Sequence, residues 1–449
     1  MITDLTSGKP KNILWRFLLP MLISVMFQQF YNIADSMIAG KFAGENALAS
    51  VGASYPITVI FMAFATGSNL GASVIVSRFF GAKDYKKMKS AVSTSIIACL
   101  ILSAVITALG YFFCSSMMRV IGTPENIFND GVLYLKIYIL GLTFLFLYNV
   151  CTGIFSALGD SKTPLYFLIG SSIGNIILDF WFVAGFHWGV SGVAWATFIA
   201  QGISCILAVL TLRKRLSGIE TQSSHHILFN KHILRLISGI AVPSIMQQSV
   251  LSVGNLFIQG IVNRYGSATI AGYSASIKLN TFAITAFMAL GSCMSSYTSQ
   301  NLGAHKKVRI PLGFRSGMIL SLITALPFFI FYFFFGREIM GMFLDTASQE
   351  AIQSGMIFLR IVSPWYFMIA IKLMTDGIIR GYGAMAYFVI ATVPDLILRI
   401  LFAYLLTPKY NSTGIWMAWP FGWIAATVLT IFFYRKVLSS NLGQNELET

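Results

Sequence analysis

Two aspartates sit where charge is hard to keep. Asp35 falls in MFQQFYNIADSMIAG and Asp179 in IGSSIGNIILDFWF, each deep inside an apolar run. An ionised side chain at the centre of a bilayer costs at least about 2.5–3.5 kcal/mol, so each requires a partner or a task. Asn175 stands one helical turn before Asp179 on the same face, and Thr197 lies within the next apolar run. Two carboxylates, an amide and a hydroxyl form a hard oxygen set suited to Na⁺. The same acids, taken out of water and set against each other, are equally suited to carrying a proton. The alternative is local, with each Asp capping a helix break; Asn32 and Ser36 are close enough in sequence to satisfy Asp35.

The second half of the chain is equipped differently. Lys372 and Asp376 are spaced i, i+4, as are Asp395 and Arg399, and both spacings allow self-neutralising pairs on one helix. Lys278 adds a further cation expected near Asp376. One carboxylate held between two amines is a poor exchanger, so the working ion site is expected in the first half.

These residues need elements to hold them, and composition says what kind. The chain has 449 residues, 56% of them hydrophobic and 10% charged. A soluble domain carries about 25% charged residues, so a water-soluble fold is excluded. Twelve apolar runs, near 13–38, 47–77, 90–114, 129–156, 164–185, 190–212, 233–262, 268–299, 313–335, 350–380, 385–406 and 413–436, approach or exceed the roughly 20 residues that span a bilayer. The polar Met1–Lys11 stretch carries no leader pattern, and the first run is expected to be a mature helix. The net charge of +15 concentrates in alternate loops, for example Arg78 to Lys89, Arg213 to Lys231 and Lys306 to Arg315. That places both termini in the cytoplasm and explains the charge by topology and lipid contact, with no nucleic-acid partner.

An internal repeat organises the runs. GENALASVGAS at Gly44 matches GSATIAGYSAS at Gly266, and SRFFGAKDYKK at Ser77 matches SQNLGAHKKVR at Ser299, both at an offset of 222 residues. The expected organisation is an amino-terminal lobe over 1–212, a cytoplasmic linker over 213–232 and a carboxy-terminal lobe over 233–449. Each half holds an even number of helices, so the repeats run parallel. The predicted fold is an all-α membrane protein of twelve transmembrane helices in two six-helix bundles related by a pseudo-two-fold axis, with a central site exposed to either side in turn. Pro20 and Pro243 recur at equivalent places in the first helix of each half and are the hinge candidates.

Aromatic and amide side chains expected to line a substrate cleft are Tyr31, Tyr134 and Tyr138, with Gln28, Asn32 and Asn149 on the same helices. Aromatic faces beside carboxylates attract lipophilic cations. No phosphate-binding glycine loop, HExxH or GxSxG motif is present, so neither ATP hydrolysis nor another enzymatic activity is expected. Five scattered cysteines without CxxC spacing read as small core residues, and His225, His226 and His232 as solvated linker residues.

Pro20, Gln28, Tyr31 and Asp35 in the first helix, Asn175 and Asp179 in the fifth and Thr197 in the sixth resemble a prokaryotic multidrug and toxic compound extrusion (MATE) transporter of the MepA-like group. The resemblance implies an antiporter in the cytoplasmic membrane that expels small cationic drugs or toxins against Na⁺ or H⁺. Its coupling site would be Asp35, Asn175, Asp179 and Thr197, and it would work as a monomer among lipids with no cofactor besides the coupling ion. It also implies bending of the first helix at Pro20 when the Asp35 region is loaded, and a possible cation role for Asp376. The alternatives are a lipid-linked precursor flippase of the same superfamily, a channel and a membrane-embedded transferase.

Overall fold

Within a bilayer no water satisfies backbone N–H and C=O groups, so each apolar run closes its hydrogen bonds on itself as a helix. The computed structural model describes residues 3–38, 42, 45–219, 227–344 and 349–439, and no strand occurs among them. Ten helical stretches among these are long and apolar enough to cross a membrane. One of the ten, Lys231–Gly303, is two helices, and a bent pair adds a further span, which gives the expected twelve.

One unit of the chain comprises Met1–Asp4 with Leu19–Ile245, the other Leu5–Leu18 with Met246–Thr449. The first is built on α1 (Pro10–Ile38, from Leu19 onward), α2 (Glu45–Gly81), α3 (Tyr85–Val120), α4 (Glu125–Leu140), α5 (Leu142–Ala157), α6 (Lys162–Asp179) and α7 (Gly189–Ser217). It also takes the opening turns of α8 (Lys231–Val262). The second holds the rest of α8 and α9 (Gly266–Gly303), α10 (Arg309–Phe334), α11 (Gly336–Phe343), α12 (Gln349–Val362), α13 (Tyr366–Gly381), α14 (Met385–Tyr410) and α15 (Ser412–Ser439).

The boundaries expected at 212 and 233 therefore fall elsewhere. Leu5–Leu18 belongs to the second unit, where the Leu5 N–H donates to Gln300 Oε1 (2.9 Å) and Lys306 and Arg309 donate to the carbonyls of Thr6 (3.0 Å) and Gly8 (2.8 Å). Lys231–Ile245 belongs to the first, beside the segment whose Ile227 carbonyl accepts from Ser90 (2.6 Å). Both change-overs lie within a turn or so of Pro20 and Pro243. A proline removes one rung of the helical ladder, which is where a helix divides most cheaply. His225 and His226 lie outside the described residues.

Packing is inverted relative to a soluble bundle. On α3, Ile101, Val105, Leu109 and Phe112 are exposed, Phe112 by 82%, while Ser95, Cys99, Ser103, Gly110 and Cys114 face the bundle. Small residues inside let backbones approach, and the large apolar ones meet lipid. The repeat is visible in these seams. A Cβ on Gly153 of α5 would lie 2.7 Å from Asn69 Oδ1 of α2, and one on Gly377 of α13 would collide with the Gly291 carbonyl of α9; Asn69 and Gly291 are 222 residues apart. Lys83 and His305 share that offset and the same left-handed φ of 57°. Changing Gly377 to Ala is expected to cost about 1–3 kcal/mol through overpacking. Unfolding of the purified protein in a graded denaturant series checks this; a variant as stable as wild type would mean that the seam can relax.

Two predicted helices are broken. The fourth span, expected as one helix over 129–156, bends by 47° between α4 and α5 at Gly141. The tenth, expected over 350–380, is interrupted by the 3₁₀ turn Ser363–Trp365, because Pro364 has no N–H for the ladder. All five cysteines are buried and form no disulfide.

Candidate cation site

Four helices of the first unit each contribute residues one turn apart: Tyr31 and Asp35 from α1, Tyr134 and Tyr138 from α4, Asn175 and Asp179 from α6, Thr197 and Gln201 from α7. The i, i+4 spacing puts each pair on one helical face. Asp35 and Asp179, far apart in sequence, meet carboxyl to carboxyl. Thr197 donates to the Val193 carbonyl (3.1 Å), and its hydroxyl stands close to the Tyr31 phenol. Tyr134 stacks on Tyr138 with ring centroids 6.4 Å apart and packs against Val183 and Val193. Its phenol stands within electrostatic reach of both carboxylates.

Asp179 is 0% exposed and Asn175 is 2% exposed. Neither oxygen of Asp179, neither polar atom of the Asn175 amide, and not Oδ1 of Asp35 has a hydrogen-bond partner among the described residues. Two carboxyl groups in contact supply no donor of their own unless one carries a proton. A buried polar atom left unmade costs about 1–3 kcal/mol, and more when charged. These are the unsatisfied polar atoms of the cluster among the described residues.

A π turn, Phe180–Gly185, follows Asp179 directly, closed by the Phe186 N–H to the Trp181 carbonyl (3.0 Å). Gly192 of α7 admits it, since a Cβ there would lie 3.1 Å from Val183 and 3.3 Å from the Phe182 backbone. Such insertions re-aim the helix at functional positions. Nothing in FWFVAG announces the extra residue in the turn.

The other buried aspartates are committed elsewhere. Asp160 caps α6, accepting from the Thr163 N–H (3.1 Å) and hydroxyl (2.8 Å), with Arg215 at 3.6 Å. Asp395 pairs with Arg399 at 2.8 Å, whose guanidinium lies 4.3 Å from the Trp419 ring centre. Asp376 pairs with Lys372 at 2.7 Å and accepts from Thr430 (3.1 Å). Both expected ion pairs form. Lys278, expected beside Asp376, is exposed instead, and the second cation near Asp376 is Arg380, two turns beyond Lys372 on the same helix face. Among the described residues, buried carboxylates that face no cation are found only where Asp35 meets Asp179.

A family model described as MatE matches residues 20–181 and 243–405, one block in each half, beginning at Pro20 and at Pro243. The chain belongs to the MATE family. This MATE protein is 26% identical to the "Probable multidrug resistance protein YoeA" of Bacillus subtilis, with 96% of each chain covered. It is 22% identical to the "Multidrug export protein MepA" of Staphylococcus saprophyticus, over 89% of this chain and 88% of the relative. Its fold matches that of an "Outward-facing conformation of a multidrug resistance MATE family transporter of the MOP superfamily" with a TM-score of 0.91, 22% identity and 97% of both chains covered.

Within the MATE fold, the predicted residues divide into those gathered at one place and those that are not. Tyr31, Asp35, Tyr134, Tyr138, Asn175, Asp179 and Thr197 come together. Gln28 and Asn32 are exposed on α1. Asn149 turns its amide back to the Leu145 carbonyl (2.9 Å) on its own helix. Asp376, expected to line a cleft, is 1% exposed inside the second unit, with Lys372 and Thr430 on its carboxylate. Gln201, one turn beyond Thr197, lies with Tyr134, Tyr138 and Thr197 around a small cavity.

Proposed function

We propose that this MATE protein exports lipophilic organic cations across the cytoplasmic membrane in exchange for Na⁺ or H⁺ entering through the Asp35–Asp179 pair. The observation that supports the reading is the pair itself: two carboxyl groups in contact, one with no exposed surface, with an unsatisfied amide beside them and no internal cation. Curated relatives covering 89–96% of the chain are named for multidrug resistance or export. Loading the pair with the inorganic ion removes the negative charge that attracts an organic cation; releasing that ion restores it. Occupancy by the two cations is thereby made mutually exclusive. A one-for-one exchange of monovalent cations moves no net charge, so the ion's own concentration gradient drives it, at about 1.4 kcal/mol for each tenfold. The membrane in this reading is the cytoplasmic one, with both termini inside, which the placing of the basic loops supports.

A flippase for lipid-linked precursors is less well supported. It needs arginines open to phosphate, and Arg399 is tied to Asp395. The test is efflux of ethidium from proteoliposomes under an imposed Na⁺ gradient, and separately under a pH gradient. One of the two is expected to drive export, and an ionophore that collapses it is expected to stop export. Efflux indifferent to both gradients contradicts the proposal.

A further inference from the structure

Side chains of the second unit grip the segment that opens α1 at one peptide group after another. Gln300 Oε1 accepts from the Leu5 N–H (2.9 Å), and Asn301 Nδ2 donates to the Leu5 carbonyl (3.3 Å). Lys306 donates to the Thr6 carbonyl (3.0 Å). Arg309 donates one N–H to Asn301 Oδ1 (3.0 Å) and another to the Gly8 carbonyl (2.8 Å). Gln300 and Asn301 have no exposed surface, and neither have Leu5, Leu14 and Leu18. The hold continues into the helix, where the Cys293 thiol of α9 reaches the Leu14 carbonyl (3.9 Å). α1 then passes to the first unit between Leu18 and Leu19, and Asp35 stands about four turns further on.

The arrangement recurs in the other half. Ile227 and Asn230 lie 222 residues after Leu5 and Gly8, precede α8, and are held by α3 of the first unit. Ser90 donates to the Ile227 carbonyl (2.6 Å), and the Asn230 N–H donates to Thr94 Oγ1 (3.1 Å). α8 packs so closely on α2 that a Cβ on Gly71 would stand 2.8 Å from the Ile237 carbonyl, and it leaves this unit after Ile245. A grip built twice, from different side chains at matching places in the repeat, is no accident of one loop. The destinations differ. α8 runs on to Asn255, whose amide oxygen accepts from the Arg399 that neutralises Asp395 (3.4 Å), whereas α1 runs on to an acid of the exchangeable pair.

We propose that Gln300, Asn301, Lys306 and Arg309 are positioning residues that couple movement of the second unit to the cation site, by holding the opening of α1 so that the helix carries displacement to Asp35. The inference rests on the exchange reading above, in which the site opens to one side and then to the other. A 29-residue helix shared by two units takes up any displacement between them along its own length. The displacement enters at Leu18–Leu19, beside Pro20, where the ladder lacks a rung, and continues to the carboxyl that meets Asp179. Linkage makes the effect reciprocal: an ion that fixes Asp35 against Asp179 biases the second unit through the same grip. When the grip slips, each unit keeps its own structure and the two cease to act together.

Gln300→Met leaves the buried Leu5 N–H without its acceptor, and Arg309→Met removes the bond to Gly8; neither touches the carboxylate pair. Arg309 is half-buried, so its variant carries the test if Gln300→Met fails to fold. In proteoliposomes under a steep gradient of the coupling ion, ethidium accumulation is expected to fall about tenfold in each, the size of one lost hydrogen bond to a charged or buried group. With the ion equal on both sides, ethidium running down its own gradient is expected to keep the wild-type rate, and the melting temperature to stay in place. Arg309→Lys, which retains a charged donor, is expected to fall between Arg309→Met and wild type. Undiminished ion-driven accumulation in Arg309→Met overturns the proposal. So does a loss that affects driven and downhill transport alike, or one that follows the melting temperature. If wild-type transport responds to neither ion, the exchange reading fails first. If wild type is driven, Asp179→Asn is not, and the grip variants match wild type, only the coupling role fails.

Discussion

Asp179→Asn is expected to abolish ion-driven export while leaving the protein folded. Asp179 has no exposed surface and neither of its oxygens has a partner among the described residues, so the amide fits the same space without breaking a bond. What it removes is the charge that makes the site exchangeable. The accumulation that the ion gradient drives, about tenfold for a tenfold gradient in a one-for-one exchange, is expected to fall to the level of passive leak. Asp35→Asn is expected to do the same, since the two carboxyls act as one pair. Asp160→Ala is the contrasting control. Asp160 is also buried, at 2%, but it caps α6, so its loss is expected to cost about 0.5–2 kcal/mol of stability and leave coupling intact. Efflux from proteoliposomes under each gradient, beside the melting temperature of each variant, separates these outcomes. Gradient-driven export undiminished in Asp179→Asn would remove the basis of the proposed function.

The second large effect concerns stability. Lys372→Met leaves Asp376 without its ammonium in a place where 1% of the residue is exposed. Removing one member of a buried pair costs about 3–5 kcal/mol, because the remaining charge stays in a low-dielectric interior. Arg380, which also feels Asp376, offsets part of that cost. Replacing both members, as Lys372→Met with Asp376→Leu, is expected to recover most of it, since apolar residues of similar volume are often neutral in place of a buried pair. The double-mutant cycle, read by denaturant unfolding in detergent, is therefore expected to show strong coupling. Additive losses would mean that the 2.7 Å contact contributes little.

These two predictions separate two uses of a buried acid that look alike in the sequence. Asp35, Asp160, Asp179, Asp376 and Asp395 each lie in or beside an apolar run. The i, i+4 pairs with Lys372 and Arg399 are legible because helix geometry is local, and both form at 2.7 and 2.8 Å. The place of Lys278 is not, because which face of a long helix turns inward depends on the neighbour packed against it. That face points Lys278 outward, and Arg380 takes the second position near Asp376.

Sequence alone determined that this chain spans a membrane twelve times, that its halves repeat at an offset of 222 residues, and that its unpaired acids are in the first half. Hydrophobicity, spacing and repetition are one-dimensional properties, and a bilayer enforces them strictly. Tertiary structure decided that Asp35 meets Asp179, that Asn149 bonds to its own helix, and that the fourth and tenth spans break at Gly141 and Ser363–Trp365. It also decided that the opening turns of α1 and α8 are assigned away from the rest of their helices. Each of these depends on which helix is packed beside which, and residues more than a hundred positions apart reach that contact only after the bundle has closed.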